Sequence, residues 1–178
     1  MILPVPHTSD ACAGAATGYL LRKIAYRAGA YAPGIQDFMF HELNQASAGR
    51  SLNAVSDWMG AHGDQLHALG YRFSGRRVMG QKTDTIIDWV KEGKGYRGAV
   101  LETGYLLLHP TEAADFSHAV GIAFDRVDAK SAEDILMIDP WPGVTMQGAD
   151  RVKESPALEA AHREKNFHAL VYFWVGWS

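Results

Sequence analysis

The chain has one cysteine, Cys12, among 178 residues. A single thiol excludes an intramolecular disulfide, so the fold must be held by its core; at this length folding buries most of the surface without a staple. Nowhere do about 18 apolar residues follow one another, so no membrane span is expected. The opening Met1-Ile2-Leu3-Pro4-Val5-Pro6 has neither a basic segment nor a long apolar run and does not read as a cleavable secretory signal. The expectation is a protein cytoplasmic as synthesised, with export by a route lacking such a signal left open. Excess positive charge is missing too. The net charge is −3 with signs interspersed, which argues against a nucleic-acid surface. No Cys/His spacing suits a zinc site and no glycine loop suits a phosphate, so neither metal nor cofactor is expected.

What is present falls into a helical front and a strand-rich back. After the polar Thr8-Ser9-Asp10, apolar residues Ala16, Leu20, Leu21 and Ile24 recur at helical steps, predicting a helix to about Ala28 that ends near Gly29. A loop from Gly29 to Gly34 follows. A helical stripe then occupies Ile35 to Leu43, and Ser51 to Leu69 reads as one or two short helices broken at Gly60 and Gly63. Gly70 to Phe73 alternates like a short strand, and Thr83 to Lys91 reads as a helix closed by Gly93. Arg72, Arg76, Arg77 and Lys82 form a basic cluster, read first as a solvated face.

From Gly98 the period changes. Ala99 to Glu102, Tyr105 to Leu108, Ala119 to Phe124, Ile135 to Ile138 and Ala169 to Val175 read as strands. Glu154 to Lys165, charged and alanine-rich, reads as an exposed helix. Helices followed by short-linked strands predict an α+β fold in one domain over 1–178, with a helical part at about 8–92 and a sheet part at about 98–178.

Three residues carry the chemistry. Ser9 or Asp10 is a candidate N-cap, which puts Cys12 in the first helical turn, where free N–H groups and the helix dipole favour the thiolate, the nucleophilic form of cysteine. The competing reading is an inert core cysteine. His118 stands at the start of the apolar run Ala119 to Phe124. Asp139 closes the next run, immediately before Pro140, which cannot continue a strand. If those two runs pair antiparallel, His118 and Asp139 become neighbours, as a base and the group orienting it require. Taken singly, each residue has a structural explanation: a satisfied histidine at a strand edge, an Asp-Pro turn, and Trp141 as a core aromatic.

This ordered set resembles the papain-like cysteine peptidase superfamily: Cys12 at the first helix, His118-Ala119-Val120-Gly121-Ile122 at a strand start, and Asp139-Pro140-Trp141-Pro142-Gly143 after the next strand. Within it the motif order is most similar to small bacterial double-glycine leader peptidases and secreted effector proteases. The resemblance implies a papain-like fold, a helical lobe bearing the nucleophile and an antiparallel sheet bearing His and Asp. It further implies Cys12 as nucleophile, His118 as general base and acid, Asp139 as the orienting residue, and a peptide or protein substrate. Those families place an oxyanion glutamine shortly before the cysteine, where this chain has Pro6 and His7. The Cys12 backbone N–H remains available, with His7, Thr8 or Ser9 as candidate second donors and Trp141 as a candidate substrate contact. Peptidoglycan stem-peptide amidase or glutamine deamidase chemistry uses the same groups. A non-enzymatic binding module on the same scaffold is the alternative from another class.

Overall fold

In the computed structural model, described over residues 12–47, 52–74, 81–82, 88, 92, 94–104, 111, 117–124, 127–128, 134–140, 153–155, 168–169 and 171–177, the fold is α+β. Four helices come first: α1 (Cys12–Arg27), α2 (Pro33–Ser47), α3 (Leu52–Ala61) and α4 (Gly63–Ala68). The strands are β1 (Tyr71–Ser74), β2 (Gln81–Lys82), β3 (Arg97–Gly104), β4 (Ser117–Phe124), β5 (Ile135–Asp139), β6 (Lys153–Ser155), β7 (His168–Ala169) and β8 (Val171–Trp177). Six of them make an antiparallel sheet in the order β1-β8-β3-β4-β5-β6, and β2 pairs with β7 apart from it.

α1 is the axis of the packing. Residues Ala13 to Gly18 and Leu20 to Ala25 are all buried, an unusual state for a helix with two cations among them. Its stop is local: Gly29 takes a left-handed φ of 71°, which only glycine adopts freely, and Ala30 N–H returns to the Ala25 carbonyl. α1 lies on β3, β4, β5 and β8, while α2 and α3 close its other side. Ala13, Ala16, Leu20 and Ile24 share one core with Val100, Ala119, Ala123, Ile138 and Val175 of the sheet. Small residues set how close helix and sheet come. A methyl group built on Gly121 would sit 3.8 Å from the Ala16 carbonyl oxygen, and one on Gly98 would meet Leu20 Cδ1 at 2.7 Å and the Ile122 carbonyl at 2.3 Å. Gly98 therefore cannot become alanine without moving the backbone.

The buried cations are paired. Lys23 Nζ donates to both carboxylate oxygens of Glu154 on β6, at 2.9 and 2.8 Å, and Arg22 donates to Asp37 of α2. Tyr71 of β1 donates its hydroxyl to the Leu21 carbonyl at 2.8 Å, tying the sheet edge to the same helix.

Several expectations change in detail. α2 begins at Pro33, inside the expected loop, because proline's fixed φ and missing N–H suit a first helical position. Glu154 and Ser155 belong to strand β6 instead of opening a helix: β5 pairs with them, Ile138 opposite Glu154, and the Lys23 contact fixes the carboxylate. The helical and sheet parts also interleave, since β1 and β2 lie in the front half and pair with β8 and β7. The expected helix over 83–91 and strand over 105–108 lie outside the described residues, apart from Asp88.

Candidate active site

β4 and β5 pair antiparallel, with Gly121 opposite Ile138 and Ile122 opposite Met137. One step beyond the last pair, Asp139 falls beside Val120, so His118 and Asp139 are diagonal neighbours on one face, within reach of a histidine ring. Their side chains meet: His118 Nε2 and Asp139 Oδ1 are 2.8 Å apart. Both are almost sealed from water, at 0% and 1% exposure. Pro140 ends the strand because it has no N–H for the ladder.

The helix brings the thiol to the same place by a matching of steps. Four helical residues rise about 6 Å and two strand residues about 6.6 Å. Ala16 lies against Gly121, and Leu20 lies against Gly98, which pairs with Ala123. One more step back sets Cys12 at the level of Ala119, next to His118. α1 starts at Cys12, and the residue is half-buried, so solvent and solutes reach it.

Charge follows from this geometry. Burial alone disfavours the imidazolium of His118. The hydrogen bond with Asp139, the influence of the nearby Cys12 thiol, and the negative charge that both can carry outweigh it and push the pKa up from 6.5 to about 9. Asp139 occupies Nε2, and its carboxylate orients the ring.

The structure therefore brings together Cys12, His118 and Asp139. His7, Thr8, Ser9 and Trp141 lie outside the described residues. One residue was missed by sequence reading: Glu102, which sits at this end of the sheet and bonds Ser117, the residue before His118. Its signal was weak, a single acid closing an apolar strand run. A cavity of about 300 Å³ between α2, α3 and α4, walled by Phe38, Met39, Trp58, His62, Leu66 and Leu69, contains none of the three groups. Among the described residues, no cluster of three or more His, Cys, Asp or Glu side chains suits a metal ion, and no helix is long and apolar enough to cross a membrane.

None of the protein-family models, curated proteins or solved structures compared with the chain matches it.

Proposed function

We propose that this chain is a thiol hydrolase of papain-like architecture that cleaves an amide bond, with a peptide as the substrate class. The observation that carries the reading is the sealed 2.8 Å contact of His118 Nε2 with Asp139, on a ring that also feels the half-buried Cys12 at a helix start. Buried His–Asp pairs occur for structural reasons. A structural pair has no need of a reachable thiol on the ring's remaining nitrogen.

In the proposed reaction the proton of Cys12 resides on His118 Nδ1, and the sulfur attacks the carbonyl carbon. The oxyanion forms near the first-turn N–H groups of α1, beginning with that of Cys12. Collapse breaks the C–N bond as Nδ1–H protonates the departing amine, leaving a thioester on sulfur. Water then gives a proton to the neutral Nδ1 and attacks the thioester carbonyl. The C–S bond breaks, the acid leaves, and the thiolate–imidazolium pair is restored. Asp139 keeps Nε2–H occupied throughout, so the ring neither flips nor tilts.

Alkylation with iodoacetamide at pH 6 tests the first step, and the single cysteine makes the mass-spectrometric readout unambiguous. Cys12 should react much faster than a model thiol. Labelling at the model rate, or only after unfolding, returns Cys12 to the core.

A further inference from the structure

Among the described residues, the β3–β4 ladder reaches Thr103 with His118 and Gly104 with Ser117. Pairing of this kind sets where the His118 main chain lies. Its ring nevertheless has to stay aligned with a sulfur carried by a different element. Glu102 of β3, the register partner of Ala119, lies at this level. Its Oε1 accepts the Ser117 hydroxyl at 2.5 Å, and its Oε2 accepts the Leu52 N–H at 2.8 Å. Leu52 opens α3, so its N–H is one of the donors that a helix cannot satisfy internally, and a carboxylate there also suits the helix dipole. One half-buried side chain thus bolts together the Ser117 end of β4, strand β3 and the start of α3.

We infer that Glu102 is a positioning residue of the candidate site: by clasping Ser117 and the first turn of α3 it holds the His118 end of β4 against Cys12. The inference rests on the thiol-hydrolase reading above. A helix cap alone needs only one carboxylate oxygen, and acceptors for a first turn usually come from the residues just before it. Here the acceptor comes from fifty positions away, and its second oxygen is spent on the residue that precedes the base. Displacement of a reacting group by about 1 Å costs on the order of a hundredfold in rate, so a clasp on the residue beside the base has a measurable task.

The test uses the whole chain and three variants, Glu102→Ala, Glu102→Gln and Ser117→Ala. The readouts are the iodoacetamide rate of Cys12 across pH, the His118 ring titration by NMR, and the melting temperature. Glu102→Ala and Ser117→Ala should each slow Cys12 alkylation about tenfold and move the His118 midpoint. Glu102→Gln should stay within about twofold, because its amide oxygen still accepts from Leu52 and its amino group can donate to Ser117 Oγ. A lowered melting point with unchanged alkylation and an unmoved midpoint overturns the inference, since a cap alone would act in that way. Should Glu102→Ala fail to fold, Ser117→Ala, which leaves the α3 contact intact, decides alone. A fast parent with equally fast variants overturns the inference and leaves the function standing. A parent no faster than a free thiol overturns both.

Discussion

The two buried stretches of α1, Ala13 to Gly18 and Leu20 to Ala25, are held by opposite means. From Cys12 to Thr17 the residues are small and uncharged, and the helix is held by close approach to Gly121 and its neighbours. From Leu21 on, Arg22 and Lys23 go into the interior on carboxylates brought by α2 and β6. Near each end lies an ionic contact of the same length, 2.8 Å: His118 with Asp139 beside the N terminus, and Lys23 with Glu154 towards the C terminus. They differ in what can change. The lysine pair, at 11% and 25% side-chain exposure, joins α1 to β6 and is an anchor. Histidine can give its proton up, and its pair is sealed at 0% and 1% exposure. Burial of charge is common to both; under the proposed function only the pair with a titratable member beside a thiol takes part in chemistry.

Replacing the titratable member should break the comparison most sharply. His118→Ala should lower turnover by about 10³-fold or more and slow Cys12 alkylation near neutral pH, as expected when a base that activates a nucleophile is removed. If the variant alkylates as fast as the parent, the pair is not formed. Asp139 comes next. Asp139→Ala leaves His118 Nε2 buried without its acceptor and should cut turnover about 10- to 100-fold while lowering the melting point. Asp139→Asn, whose amide oxygen still accepts from Nε2–H, should be milder. Specific activity measured beside melting temperature decides this, because unchanged turnover with lowered stability would make Asp139 a turn residue only.

The anchor should behave in the opposite sense. Lys23→Ala leaves the Glu154 carboxylate without its cation and should cost about 1–3 kcal/mol, at the lower end for a buried pair because Glu154 is partly wet. Chemical denaturation gives that figure, and Cys12 alkylation per folded molecule should not change. The smallest effect expected is one of pH. The raised pKa of His118 contributes stability that is complete below pH 6.5 and fades as pH rises through about 9. The melting point should therefore fall between those values in the parent and remain flatter in His118→Ala. The basic limb of the rate profile should lie near pH 9, where the imidazolium loses the proton meant for the leaving amine.

The parts of this arrangement legible in the sequence are those set by neighbours in the chain. The apolar run ending at Phe124, the run stopped by Pro140, and the helical stripe opening near Cys12 are local patterns, and they place β4, β5 and α1. The adjacency of His118 and Asp139 follows from a hairpin-like pairing that short-linked strands favour. Other features depend on partners far away. Glu154 sits in alanine-rich, charged sequence with helical propensity, and pairing with β5 and Lys23 overrides it. Arg22 and Lys23 look solvent-facing until Asp37 and Glu154 are known. Glu102 joins residues on two other elements, and no pattern around it announces either.

The seating of β8 has a consequence in time. Residues 171–177 run between β1 and β3, pairing Tyr71 with Trp177 on one side and Arg97 with Gly176 on the other. Contacts between such distant parts of a chain form slowly, because a long loop must close before any reward arrives. During synthesis, β3, β4 and β5 emerge well before the strand that completes the sheet beside them. Val175, part of the core under α1, arrives with that strand. Until then the helix bearing Cys12 rests on an unfinished floor. Under the proposed function, a nascent chain carries its sulfur without the seat that aims a base at it, and it stays blunt until β8 has been made.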